Sequence, residues 1–147
     1  MEKWYGSAGL CLNENSELLM VLQGTANELQ TWSVPSGGKE IEENFEECCI
    51  REIKEETGFC VEVLENLLVK KGIFEELKIQ YEVHYFSVKM VGGKRTFQDP
   101  DDLIVDISWK SAEEIKVLQL TYSEDKELLV NYIQKNQLKN VAVNEKI

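Results

Sequence analysis

One segment constrains this 147-residue chain more than any other: residues 43–57 are strong helix formers, and Gly58 is placed to end them. On both sides the sequence reads as strand. A glycine-closed helix between strands must lie against a sheet, which restricts the chain to an α/β or α+β layering with helices covering a mixed sheet. Upstream, residues 5–13 and 17–23 read as strands joined by the polar turn Asn13-Glu14-Asn15-Ser16. Residues 31–35 read as extended, because Pro35 biases Val34 away from helix. Downstream, residues 59–73 read as a long strand or a strand with a bulge. Residues 78–90 alternate and carry β-branched and aromatic side chains, with Val91-Gly92-Gly93 as the closing turn. A short strand through Trp109 follows, then a short helix capped by Ser111 with Glu114 three positions on, then a last helix over residues 124–137. The chain is expected to form one domain over residues 1–147, with the tail after about 138 loose.

The glutamates of the central segment are unusual in their placing. At ~100° per residue with Phe45 at zero, Cys49 falls near 40°, Ile53 near 80° and Ile50 near 140°, which defines the apolar face. Glu52 falls at ~340°, Glu56 at ~20° and Glu55 at ~280°, so three carboxylates share an arc that overlaps the apolar face. Glu47 and Lys54 lie outside. A solvated acidic face is the bland alternative, but glutamates at these spacings repel one another, the more so when partly buried. Arg51 reaches Glu47 and Glu55 at i±4, yet it is expected on the outer edge of the cluster, one charge against several. Carboxylates gathered without His or Cys favour a hard cation such as Mg²⁺ or Mn²⁺, the usual partner of phosphates.

Charge and cysteine usage narrow the class. With 27 acidic against 16 basic residues, the net charge of −11 opposes any coating of a nucleic acid duplex. No apolar run approaches the ~20 residues of a membrane span. The first residues lack the basic and apolar regions of a secretory signal, so a cytoplasmic location is expected. Cys11, Cys48, Cys49 and Cys60 form no C-x-x-C pair, and His84 is the one histidine, which argues against zinc and for free, mostly buried thiols.

Ahead of the helix, Ser36-Gly37-Gly38-Lys39 supplies flexible backbone where the chain is expected to turn, with Lys39 a point charge suited to a phosphate. Gly37, five residues, Glu43, seven residues, then Arg51-Glu52-Ile53-Lys54-Glu55-Glu56-Thr57-Gly58-Phe59 matches the Nudix box at every fixed position. The chain thus resembles the Nudix hydrolases, in particular the small, single-domain, MutT-like members. The resemblance implies an α/β/α sandwich and Mg²⁺-dependent hydrolysis of a nucleoside diphosphate linked to another group. By position, Glu52, Glu55 and Glu56 would be metal ligands, with one of them or a downstream acid activating water. Arg51 and Glu43 would brace loop and helix, Gly37 and Gly38 would shape the loop, Gly58 would be structural, and the Ser36 carbonyl would be a further ligand. Relatives usually carry Gly at Ser36 and often Pro-Gly at Ile41-Glu42; a backbone oxygen survives the first change. Asp102, in the acidic loop with Asp99 and Asp101, is the choice for an additional carboxylate.

Substrate choice lies outside the box. No proline falls between Phe59 and Pro100, as relatives acting on ADP-ribose tend to have. The NADH-type and coenzyme A motifs are absent, and the first tyrosine after the box, Tyr81, comes late for a dinucleoside polyphosphate enzyme. Elimination favours a nucleoside triphosphate, ordinary or oxidised, cleaved to monophosphate and pyrophosphate. The alternatives are nucleotide sugars or other diphosphate metabolites, or a non-catalytic nucleotide sensor. Tyr81 and Phe86 are the chosen base-stacking residues, with Trp32 and Tyr122 also considered, and His84 reads as a packed histidine rather than a catalyst. The partner is a small nucleotide, and the protein is expected to act as a monomer or homodimer.

Overall fold

The computed structural model describes residues 1–96 and 103–145. The elements run β1 (Glu2–Cys11), β2 (Leu18–Gln23), β3 (Thr31–Ser33), β4 (Ser36–Gly38), α1 (Phe45–Thr57), β5 (Phe59–Phe74), β6 (Ile79–Gly93), β7 (Ile104–Lys110), α2 (Ala112–Val117) and α3 (Lys126–Glu145). A single 3₁₀ turn, Ser123–Asp125, leads into α3.

The strands form two sheets. A mixed four-stranded sheet has the order β4-β1-β6-β5, with β1 and β6 parallel and the other pairs antiparallel. Beside it lies an antiparallel sheet of order β3-β2-β7. Helix α1 covers one side, and α2 with α3 the other, giving three layers and two cores. Leu18 and Met20 of β2 join the core under α2 and α3, whereas Leu19 and Val21 join the core under α1. A strand whose successive side chains enter different cores is covered on both faces, which is why residues 18–21 form an unbroken apolar run.

Helix α1 begins with a reciprocal cap: Glu47 N–H donates to the Asn44 side chain (2.7 Å), and Asn44 N–H donates to the Glu47 carboxylate (2.9 Å). It ends at Gly58, whose φ of 84° is left-handed. Gly58 and Gly93 lie back to back: a Cβ on Gly58 would sit 2.2 Å from Lys94 O, and one on Gly93 would sit 2.3 Å from Gly58 O. The wheel places the face correctly, with Cys49 and Ile53 buried and Glu47 and Lys54 exposed. The turn at Asn13 and the Ser111–Glu114 capping box are both present.

Three local readings need correction. Gly37 and Gly38 are not a sharp turn; residues 36–38 form an edge strand, with Ser7 opposite Gly37. Residues 91–93 continue β6, with Gly93 opposite Phe59 and Gly92 opposite Cys60; β5 carries an extra residue at the shifts 63/65 and 66/68, and β6 carries one, Val91, at the shift 60/61. The last helix begins at Lys126 and continues past residue 137 to Glu145.

Candidate active site

The short strand β4 is the hinge of the site. Gly9 N–H donates to Pro35 O and Lys39 N–H to Tyr5 O, so residues 36 and 38 turn their own N–H and C=O groups away from β1. Those groups meet α1 instead. Ser36 N–H donates to Glu56 Oε1 (2.9 Å), and Gly38 O accepts from an Arg51 nitrogen (2.8 Å). The Ser36 carbonyl therefore lies on the same free edge as the helix carboxylates.

Arg51 is at the centre of the glutamates, not on their outer edge. It donates to both carboxylate oxygens of Glu43 (2.6 and 3.0 Å), to Glu52 (2.8 Å) and to Glu55 (3.2 Å). Glu47, the other i±4 candidate, is committed to the cap. The hydrogen bonds from Arg51 pull the Glu43 carboxyl down to about 2, and Glu43 in turn raises the Arg51 guanidinium. Glu52 differs: burial raises its carboxyl despite the arginine beside it. Its carboxylate lies directly against Gly37, where an added Cβ would fall 2.2 Å from Glu52 Cδ, so only glycine leaves it room. Glu56 is 7% exposed, which places a carboxylate on the apolar side of the helix as the wheel indicates.

Around the edge of β4, on the face of the four-stranded sheet opposite α1, a cleft of about 320 Å³ opens beside Ser36 and Gly37. Tyr81, Tyr85 and Tyr122 line it, Lys70 and Glu124 face it, and Phe74 lies toward its far end. Burial raises the Tyr122 hydroxyl, with the carboxylates of Asp125, Glu124 and Glu56 adding to the effect against Lys70. Tyr122 thus stands within electrostatic reach of both the cleft charges and the helix cluster. A larger hollow, about 410 Å³, lies near Lys3, Lys71 and Glu82 on the α1 side of the sheet, away from the carboxylates.

Of the residues singled out in the sequence, Glu43, Arg51, Glu52, Glu55, Glu56, Ser36, Gly37 and Gly38 come together, and Tyr81 lines the cleft. Lys39 does not join them: its ammonium is held by the carbonyls of Glu40 and Glu43. Phe86 is 3% exposed in the core under α1, shut off from the cleft. Tyr81 and Phe86 are five residues apart on one strand, an odd separation that puts them on opposite faces. The same alternation points to Tyr85, which the sequence reading missed. Trp32 packs against the other core, and His84 stacks on Phe45 (3.6 Å between centroids) while bonding Glu82 and Asn66. Asp102, with Asp99 and Asp101, lies outside the described residues. Cys11, Cys48 and Cys49 are buried free thiols, and Cys60 is half-buried.

The NUDIX domain profile matches residues 5–132. A Bacillus subtilis (strain 168) protein described as a putative 8-oxo-dGTP diphosphatase is 33% identical over 89 residues, covering 60% of this chain and 55% of that one. The chain therefore spans about half the length of this relative. Among solved structures, a NUDIX hydrolase from Nitrosomonas europaea superposes with a TM-score of 0.75 at 19% identity, covering 95% of this chain and 90% of the other. The MutT protein from Methanosarcina mazei Go1 gives 0.69 at 17% identity, covering 92% and 96%. These likenesses show a shared fold, and the family match takes in the β4 edge, the Arg51 knot and the tyrosine-lined cleft. The chain belongs to the NUDIX domain family.

Proposed function

We propose that this protein is a divalent-cation-dependent pyrophosphohydrolase acting on a nucleoside diphosphate linked to another group, and that its preferred substrate is a nucleoside triphosphate, ordinary or oxidised, cleaved to monophosphate and pyrophosphate. The observation that carries this reading is the junction at Ser36–Gly37, where the glutamate cluster of α1 meets an aromatic cleft large enough for a nucleotide. Similarity to a relative described as a putative 8-oxo-dGTP diphosphatase supports the triphosphate.

The donor chemistry fits a hard cation. Glu52, Glu55, Glu56 and the Ser36 carbonyl offer oxygen only, which suits Mg²⁺ or Mn²⁺. Among the described residues no three acidic, histidine or cysteine side chains already converge as a cage, and Arg51 holds Glu52 and Glu55 in this arrangement. When bound, such a cation would neutralise phosphate oxygens and ease deprotonation of a water. The chain itself does the positioning. Arg51 and Glu43 fasten α1 to β4, Gly37 leaves space for the Glu52 carboxylate, and Glu56 grips the Ser36 amide. Glu55, at 36% side-chain exposure, is the carboxylate most open to a water and is the proposed proton acceptor. Tyr81 and Tyr122 offer faces for the base. This reading places the protein in the cytoplasm, working on small nucleotides as a monomer or homodimer.

The test is a substrate panel with Mg²⁺ and with Mn²⁺: ordinary and oxidised nucleoside triphosphates, ADP-ribose, a nucleotide sugar and a dinucleoside polyphosphate, with pyrophosphate resolved from orthophosphate. Pyrophosphate from a triphosphate is the expected result. Turnover confined to the other compounds would overturn the substrate, and silence across the panel would overturn hydrolysis itself in favour of nucleotide sensing.

A further inference from the structure

The larger hollow, on the α1 side of the four-stranded sheet, is left unused by the proposed hydrolysis. Its floor follows from strand register. Lys3, Gln80 and Ile73 lie abreast on β1, β6 and β5, and Tyr5, Glu82 and Lys71 form the next row on the same face. The third row, Ser7, His84 and Val69, is where α1 begins: Ser7 Oγ donates to Phe45 O (2.7 Å), and the Phe45 ring stacks on His84. The first two rows therefore project beyond the helix and border the hollow of about 410 Å³. Tyr5 and Ile73 are exposed there. Lys3 has no side-chain partner among the described residues. Lys71 has a loose one, Glu82 at 3.7 Å, whose closer contact is with His84 at 2.8 Å.

The loop beside this hollow carries the opposite features. Ile41 is 97% exposed, with Glu40 and Glu42 on either side and Glu46 in the first turn of α1, all of them exposed. The loop is held at both ends. Glu43 N–H donates to Glu40 O (3.3 Å), Glu40 N–H donates to Glu43 Oε1 (2.9 Å), and Lys39 Nζ donates to the carbonyls of Glu40 and Glu43. A bare isoleucine alone on a surface is ordinary, but one presented on a fastened loop loses little freedom when it docks. Loop and hollow adjoin: Lys39 N–H donates to Tyr5 O (2.7 Å), and the Tyr5 ring meets Phe45 edge-on at 6.0 Å.

An acidic, apolar knob beside a basic, apolar hollow is self-complementary across a two-fold axis, since each copy then offers its knob and receives the other. We propose that this face is the interface of a homodimer, in which Ile41 of each copy enters the hollow of the other between Lys3 and Lys71. Glu42 is the acid that meets those lysines, because Glu40 leans toward Arg51 (3.8 Å). The hollow exceeds the ~150 Å³ that admits a benzene-sized group, so an isoleucine side chain has room. With a net charge of −11 two copies repel in most orientations, and one face of matched opposite charges selects this one. Glu43 ends the loop and grips Arg51, so association also fastens the brace between α1 and β4. The patch is small, which puts the dissociation constant on the order of ten micromolar.

Sedimentation velocity across roughly 1 to 300 µM protein is the test, and none of its readouts depends on hydrolysis. The wild type should pass from monomer to dimer over that range, with a melting temperature that rises with concentration. Ile41→Asp, at a fully exposed position, should stay monomeric with its low-concentration melting temperature unchanged. Glu42→Lys and Lys71→Glu should each be monomeric alone, because each sets like charges opposite one another twice. Mixed in equal amounts they should dimerise again, because both contacts of the mixed pair are then opposite in sign. A wild type that stays monomeric throughout, a dimer that persists in Ile41→Asp, or a mixture no more associated than its parts would overturn the inference.

Discussion

Replacing Arg51 by methionine keeps much of the side-chain volume and removes the charge that holds three carboxylates together. The wild-type guanidinium, at 23% side-chain exposure, contacts Glu43 at 13% and Glu52 at 15%, both largely screened from water, as well as Glu55 at 36%. It also satisfies the Gly38 carbonyl. Breaking a fully buried pair costs about 3–5 kcal/mol because a charge is left uncompensated. Partial exposure here, and the freedom of Glu55 to turn to water, reduce that to about 2–3 kcal/mol. For a chain of this size the loss corresponds to a melting temperature lower by roughly 4–12 °C. The pH dependence has a definite sign. Glu43 is held at about 2 against an ordinary 4.5, so its contribution is full above 4.5 and is lost as pH falls through about 2. The gap between wild type and Arg51→Met should therefore be widest near neutrality and close as pH drops from 4.5 toward 2. Calorimetric melting across that range is the assay. A melting temperature within about 2 °C of wild type at pH 7, or a gap that widens in acid, would refute the reasoning.

Three further outcomes follow from the same geometry. Glu55→Gln should fold as wild type yet lose turnover by on the order of a hundredfold or more, measured as product release; undiminished rates would remove Glu55 from the mechanism. Gly37→Ala should displace the Glu52 carboxylate, since the new Cβ would fall 2.2 Å from Glu52 Cδ. Because a flexible side chain can yield, stability should fall by only about 1 kcal/mol while activity falls much further; equal losses in a melt and a rate assay would argue otherwise. Millimolar Mg²⁺ should raise the melting temperature of the wild type by compensating the crowded glutamates, and no shift would count against a cation site there.

What residues 37–59 dictate by themselves is considerable, because helix geometry is local. A period of 3.6 residues places Glu52, Glu55 and Glu56 beside the apolar stripe of Cys49 and Ile53, and Gly58 is needed wherever such a helix closes in the left-handed region. The sequence likewise carried the Asn13 turn, the Ser111 cap and the irregularity of β5. It did not carry the partners of Arg51, whose three acids are chosen by how α1 packs against β4 and not by spacing along the helix alone. Nor did it carry the state of Gly37 and Gly38, since a glycine pair is compatible with a turn or a strand until β1 arrives to pair with it. The far wall of the cleft is the plainest case. Lys70, Tyr85 and Asp125 are unremarkable where they stand in the chain, 15 and 40 residues apart. Only the pairing of β5 with β6 and the docking of the turn before α3 enclose them together, and a buried charge has meaning only once its surroundings have excluded water.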